Sequence, residues 1–170
     1  VVNIVTGAGD TGRLLAEHKS VNKVAFTGST EVGKLLMRST AGSGKKLTLE
    51  LGGKSANIIF ADAAIDQAVE GIISGIYFNQ GHVCCAGSRL FVEESIVSEV
   101  IQKLKHRLKS LRVGDPLDKN TDLGAINSRE QLKTVQRYIR TGVDEGAEFH
   151  EVHQNKLPPK GFWCNPCFFT

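Results

Sequence analysis

A thiol set among small residues is the most chemically suggestive feature of this sequence. In Phe78-Asn79-Gln80-Gly81-His82-Val83-Cys84-Cys85-Ala86-Gly87-Ser88-Arg89, the small Gly81, Ala86 and Gly87 leave room around Cys84. A substrate carbonyl and a bulky cofactor can therefore approach its sulfur closely. That suits a nucleophile, although a buried, inert cysteine is the commoner fate of a thiol in a folded protein. A second stretch, Leu49-Glu50-Leu51-Gly52-Gly53-Lys54-Ser55, supplies a carboxylate. Glu50 there can act as a general base or simply end a strand and cap nearby N–H groups.

Alternating strands and helices must hold these groups. A β-branched run over 1–5 predicts a strand, and Asp10 then stands where it can cap a helix through Leu14, Leu15 and Ala16. Residues 23–26 form the next expected strand, Thr27-Gly28-Ser29 its turn, 30–40 a helix and 46–51 a third strand. A further strand over 56–60 leads to Asp62, placed to cap a helix with Ile65, Ala68, Val69, Ile72, Ile73 and Ile76 along one face. That helix delivers the chain to the cysteine loop, and a strand over 89–93 leaves it. The spacing of Ile96, Val100, Ile101, Leu104, Leu108 and Leu111 predicts an amphipathic helix, followed by a turn at Gly114-Asp115-Pro116. Ser128 with Gln131 makes a capping box for a helix that turns Leu132, Val135, Ile139 and Val143 inward and ends near Gly146. The tail from Phe149 reads as strand-like segments around Pro158-Pro159-Lys160-Gly161. Strands alternating with helices imply an α/β fold with a parallel, doubly wound sheet.

Composition excludes several classes. The net charge of +3 comes from 21 basic and 18 acidic residues that are interspersed, so no basic face tracks a nucleic-acid backbone. The densest basic run, 103–109, falls on the wet side of the amphipathic helix. No run reaches the roughly 18 apolar residues that span a bilayer. Four cysteines, two of them adjacent, do not make the framework of a small secreted domain, which favours a reducing compartment, cytoplasmic or mitochondrial. Val1 falls inside an expected strand with no initiator methionine or signal n-region, so the expectation is an internal piece of a longer protein, with targeting left open.

Two glycine turns compete for a phosphate. Gly7-Ala8-Gly9-Asp10-Thr11-Gly12 is a formal G-x-G-x-x-G, while Gly28-Ser29-Thr30-Glu31-Val32-Gly33 brings backbone N–H groups and a hydroxyl to a helix N-terminus. Spacing alone does not choose between them. Taken in order, 26–34, 49–55 and 79–89 resemble the corresponding motifs of the aldehyde dehydrogenase superfamily, and the likeness runs from near Val1 to Thr170.

The resemblance implies the late part of a doubly wound nucleotide-binding sheet over 1–52, joined to the α/β catalytic domain over 53–170. It implies NAD or NADP as cofactor, with Gly28, Ser29, Val32 and Gly33 at the pyrophosphate turn and Gly7 beside the adenosine half. Leu51 and Gly52 would lie near the nicotinamide, and Gln131 matches a position that contacts the cofactor ribose. Glu50 corresponds to the general base. The nucleophile is the cysteine followed by one variable residue and an alanine, which selects Cys84 over Cys85. Such a thiolate attacks an aldehyde to give a thiohemiacetal, stabilised by backbone N–H groups, and the later thioester needs an activated water. The implied partners are a small-molecule aldehyde and, for the parent protein, further copies of itself.

Departures from the pattern are informative. His82 stands where most members have Gln or Glu, Thr134 where many have lysine, and Cys164-Asn165-Pro166-Cys167 where a Pro-Thr strand is usual. His82 is the one support for an alternative reading, a non-catalytic scaffold or binding module with the same fold. The C-x-x-C invites a zinc or redox reading, but its spacing to His82 and Cys84 is poor for a metal site, so no metal is expected. The isolated segment is expected to be inactive, since one glycine turn offers only part of a dinucleotide site.

Overall fold

The computed structural model of the chain describes residues 1–152 and 157–170, and the part of the tail at 153–156 lies outside them. The chain forms two compact units, Val1–Gly53 and Lys54–Thr170.

In the first unit, helix α1 (Gly9–Glu17) precedes strand β1 (Lys23–Gly28), helix α2 (Thr30–Thr40) and strand β2 (Lys46–Leu51). β1 and β2 pair in parallel, in register from Lys23↔Lys46 to Gly28↔Leu51. A helix between two parallel strands is the crossover unit that the alternation predicts. Ser29 starts α2 by accepting from the Val32 N–H at 3.2 Å, so one orphan donor of the first turn is satisfied. Lys45, in the loop after α2, donates to the carbonyls of Ala16 at 2.7 Å and His18 at 3.0 Å, closing the C-terminal end of α1. Ala16 is the one buried apolar side chain larger than hydrogen in this unit. Most of the remaining apolar side chains line an open cavity or face solvent.

Two expectations fail in this unit. Residues 1–5 form no strand and are exposed throughout, because no neighbouring strand supplies the ladder that a β-branched run needs. Asp10 lies inside the first turn of α1 instead of capping it; the cap position is Ala8, with no side-chain bond.

The second unit contains β3 (Ala56–Ile59), α3 (Ile65–Tyr77), β4 (Arg89–Val92), α4 (Val97–Leu108), α5 (Arg129–Asp144), β5 (Phe149–Glu151) and β6 (Cys167–Phe169). β3 and β4 are parallel across α3, and β5 and β6 are antiparallel. Ile59 of β3, Ile72 and Ile73 of α3 and Val100, Leu104 and Leu108 of α4 meet in one core with Leu111, Val113 and Leu123. The basic side of α4 is wet, but two of its cations also bridge to α3, Lys103 to Asp66 at 2.5 Å and Arg107 to Glu70 at 2.6 Å. Asp62 does not cap α3, whose cap position is Ala64 without a side-chain bond. Ser128 does cap α5, accepting from the Gln131 N–H at 3.1 Å. The face of α5 expected to turn inward is only half-buried, and Val143 is exposed, because no described element covers it fully.

Candidate functional site

The glycine turn of the first unit is built from the strand upward. β1 ends at Gly28, where an added Cβ would lie 2.4 Å from the Phe26 ring, so any side chain there would have to displace that ring. Ser29 then caps α2, and the N–H groups of Thr30 and Glu31 at the helix start have no intrahelical acceptor. Together with the Ser29 hydroxyl they form a donor set fit for an anionic group, helped by the positive end of the α2 dipole. At Gly33 a Cβ would sit 2.7 Å from Leu51 Cδ2, so the first turn of α2 lies directly on the end of β2. The strand register sets Glu50 opposite Thr27 and Leu51 opposite Gly28. Five of the residues singled out from sequence, Gly28, Ser29, Gly33, Glu50 and Leu51, thus converge at one end of the β1–β2 pair. Gly52 follows directly, exposed, with open space where a Cβ would be.

Beside this turn, α1, β1 and α2 enclose a cavity of about 690 Å³. Val32 lines it together with Ala16, Val24, Phe26, Leu35 and Leu36, so its walls are largely apolar. Gly9 and Gly12 lie on its rim, whereas Gly7 is not part of the lining and packs against Thr11. Leu35 is therefore a site candidate that the motifs did not pick out, while Gly9 and Gly12 belong to the G-x-G-x-x-G turn already read from the sequence. The signal was present in the apolar spacing Val32, Leu35, Leu36 along α2.

In the second unit Cys84 is carried on a turn between α3 and β4. Cys84 and Cys85 are both exposed, and the buried Ala86 pins the turn through its N–H to the Val83 carbonyl at 3.0 Å. Gly87 donates back to the Gly75 carbonyl of α3 at 3.2 Å, and Arg89 to Ser55 at 3.2 Å, fixing both ends of the loop. The N–H groups of Cys84 and Cys85 have no acceptor among the described residues, so they are free to meet a developing oxyanion. Ahead of the cysteine, Asn79, Gln80 and Gly81 take three successive left-handed conformations, φ 49°, 54° and 76°. Two of these are not glycine, so the loop holds strain, and side chains hold it in place. Asn79 Nδ2 donates to the His82 carbonyl at 3.1 Å, and the Gln80 amide, turned to satisfy both neighbours, donates to the Asn79 carbonyl and accepts from the Gly124 N–H at 2.9 Å. Sequence reasoning missed this clasp, because asparagine tolerates the left-handed region but nothing marks glutamine for it.

Gln131 stands half-buried in the first turn of α5, its N–H held by Ser128. Glu50 belongs to the first unit, and Cys84 and Gln131 to the second. Among the described residues no group of three or more His, Cys, Asp or Glu side chains could hold a metal ion. No helix among them is long and apolar enough to cross a membrane.

Comparison with known proteins gives the family and the fold. The chain is 48% identical to retinal dehydrogenase 2 of Mus musculus and 45% identical to an aldehyde dehydrogenase of Alternaria alternata, in each case over 100% of its own length. It spans 33% and 34% of those relatives, about a third of their length. Its fold superposes on the NAD+ complex of an aldehyde dehydrogenase from Bacillus cereus with a TM-score of 0.88 and 38% identity, covering 96% of this chain and 33% of that one. The fold is thus the mixed helix-and-strand fold of those enzymes. The family model described as the aldehyde dehydrogenase family matches residues 1–170, and the chain belongs to that family.

Proposed function

We propose that this chain carries the cysteine, the base and one wall of the cofactor site of an NAD- or NADP-dependent enzyme that oxidises an aldehyde to a carboxylic acid. The observation that carries the reading is Cys84, exposed on a turn whose adjacent N–H groups have no acceptor among the described residues. A thiolate there attacks the aldehyde carbon, and the resulting thiohemiacetal oxygen takes its negative charge toward the N–H groups of Cys84 and Cys85.

The donor set at Ser29, Thr30 and Glu31 fits a pyrophosphate, and the apolar cavity beside Val32 fits a flat heterocycle such as adenine. Gly28 and Gly33 keep that approach clear of side chains, and Gly7 lies just before the cavity rim. Leu51 and Gly52, continuing from the strand beside Gly28, are suited to border the nicotinamide end, and Gln131 to meet a ribose hydroxyl. When bound, the nicotinamide cofactor supplies the hydride acceptor. Water must then release the acyl group held as a thioester on Cys84, and Glu50 takes the proton from that water. Its exposure on β2 leaves the carboxylate accessible to solvent. Residues 1–52 serve in this reading as nucleotide-binding structure and 53–170 as the cysteine-bearing domain.

The partners of the whole protein are a small aldehyde and further copies of itself, with no nucleic acid. Four free cysteines support a reducing compartment, the cytoplasm or the mitochondrial matrix. Residues 1–170 alone are expected to show no turnover. The test is aldehyde-dependent reduction of NAD and NADP by the whole protein, across short, long and aromatic aldehydes. Failure with every aldehyde would overturn the reading. So would labelling by a small electrophile at neutral pH in which Cys84 reacts no faster than Cys85, Cys164 or Cys167.

A further inference from the structure

The turn that carries Cys84 is held differently on its two sides. On the side toward β4 the ties are backbone bonds, from Ala86 to the Val83 carbonyl, from Gly87 to Gly75 and from Arg89 to Ser55. On the other side the chain leaves the end of α3 and doubles back through Asn79, Gln80 and Gly81, all left-handed. Glycine takes that region freely, and a Cβ at Gly81 would meet the Ile76 carbonyl at 3.2 Å. Asparagine visits it with the help of local hydrogen bonds. Asn79 has them, since its side chain donates to the His82 carbonyl at 3.1 Å and its own carbonyl accepts from the His82 N–H at 3.0 Å. Glutamine has no such preference, so a left-handed Gln80 must be held by its surroundings.

The hold runs through its side chain. The half-buried Gln80 amide accepts from the Gly124 N–H at 2.9 Å and donates to the Asn79 carbonyl at 3.2 Å. The two loops are close at this point, because a Cβ on Gly124 would lie 3.4 Å from the end of that amide. Gly124 is itself anchored. Its neighbour Leu123 is buried and bridges to Val113, donates to the Arg112 carbonyl at 3.0 Å and accepts from the Gly114 N–H at 2.9 Å. The Asp122 carboxylate accepts from the Arg112 N–H at 2.8 Å. Gln80 thus ties the cysteine loop to a segment seated in the core of its unit, whereas the bonds between Asn79 and His82 stay within the loop.

We propose that Gln80 is a positioning residue: latched onto the Gly124 N–H, it holds the left-handed entry to the turn and so aims the Cys84 sulfur and the neighbouring N–H groups. The inference rests on the reading of Cys84 as the nucleophile. Gln80 supplies no group to the reaction, since its amide is engaged by Gly124 and Asn79. Without the latch, the backbone at 79–80 relaxes toward the commoner right-handed or extended regions, and Gly81, His82 and Val83 pass that change on to Cys84. The bonds of Ala86 and Gly87 remain, so the turn survives while the sulfur spreads over several directions. Attack on a carbonyl needs close, aligned approach, and a misplacement of about 1 Å can cost roughly 10²-fold in rate. Cofactor affinity, proposed to rest mainly on the Gly28 turn, should be spared.

The test compares Gln80→Met, Gln80→Gly and Gln80→Glu in the whole protein. Three quantities are read: the single-turnover rate of cofactor reduction with enzyme in excess of aldehyde, cofactor affinity by calorimetry, and the midpoint of denaturant unfolding. Methionine keeps the length of the side chain without its amide and should slow the single turnover by roughly 10- to 100-fold. Affinity and midpoint should stay near those of the unaltered protein. Glycine accepts the left-handed backbone but has no amide, and should be slow as well. Glutamate keeps an acceptor for the Gly124 N–H and should retain more of the rate than methionine; if Gln80→Met does not fold, the glycine and glutamate variants decide. An unchanged rate in Gln80→Met, in a protein that does oxidise aldehydes, would overturn the latch and leave Cys84 in its role. A Gln80→Gly variant as fast as the unaltered protein would do the same, because backbone shape alone would then suffice. A loss of cofactor affinity matching the loss of rate would mean general loosening, and glutamate as slow as methionine would remove Gly124 as the partner; either result overturns the proposal. If the unaltered protein reduces no cofactor with any aldehyde, the reading of Cys84 fails first and this inference with it.

Discussion

Helices α2 and α4 are amphipathic and nearly equal in length, yet they meet opposite fates. α4 buries Val100, Leu104 and Leu108 at 2% exposure or less, whereas α2 leaves Leu35 58% and Met37 55% exposed. The difference is what lies across from each. α4 faces α3 and the β3–β4 pair, which close a layer over its apolar stripe, while α2 faces α1 across an open cavity. An apolar stripe read from spacing says that a face is to be covered, but not by what. In the Lys54–Thr170 unit the cover is protein; in the Val1–Gly53 unit the proposed cover is in part the heterocycle of a dinucleotide.

The largest effects should separate the chemical roles of the two units. In the whole protein, Cys84→Ser in the second unit should lower turnover by roughly 10³-fold or more, because the serine hydroxyl is a poor nucleophile without an adjacent base. Cofactor affinity, read by calorimetry, should stay unchanged, and a parallel loss of affinity would break the division of labour. Glu50→Gln in the first unit should instead give a burst of reduced cofactor and then stall as the thioester. Rapid-mixing kinetics that lost burst and steady state together would remove Glu50 from deacylation.

Packing should give the next largest contrast. Leu104→Ala deletes a fully packed side chain and should cost about 2–5 kcal/mol in denaturant unfolding of the second unit. Leu35→Ala should change stability by less than about 0.5 kcal/mol, because its side chain is already mostly solvated. Its effect should fall on cofactor affinity. Equal destabilisation by the two would mean that α2 is covered in solution by something other than the proposed ligand.

Hydrogen exchange sharpens the same comparison without mutation. Amides of α3 and α4 should be protected to the global limit, and those of α1 and α2 should exchange through local opening. Addition of NAD should slow exchange in α2, and NAD that protected only the second unit would contradict the proposed cradle.

The smallest expected effect is a matched pair. Ser29→Ala and Ser128→Ala remove the same kind of cap from α2 and α5, and each should cost about 1 kcal/mol in thermal unfolding. Ser29→Ala alone should also weaken cofactor binding.

Much of the frame was legible because local and longer-range signals agree. Around α2 a capping serine, an amphipathic stripe and a following strand of alternating faces coincide, and the helix and β2 fall where spacing puts them. Where a cap was read from residue type alone the reading failed, as at Asp10 and Asp62, since both helices begin at residues whose fit is decided by packing. The run at 1–5 shows the same limit, because a strand exists only with a neighbour. At the site, Glu50 and Cys84 were visible as residue types in motifs. The register that brings Glu50 level with Thr27, and the left-handed clasp of Asn79 and Gln80 before Cys84, depend on hydrogen bonds that no residue type announces.

The pairing of β1 with β2 also bears on how this sequence tolerates insertions and deletions. Glu50 hangs from a strand whose faces alternate, so its direction depends on the count of residues from the point where pairing starts at Lys46. Between α2 and β2 the loop carries two left-handed glycines, Gly42 and Gly44, and can gain or lose a residue with little consequence for the strands. One residue removed from within 46–49 hands the place opposite Thr27 to Leu51 and turns the carboxylate to the other face. Length variation among functional relatives should therefore collect in the glycine loop and stop at Lys46.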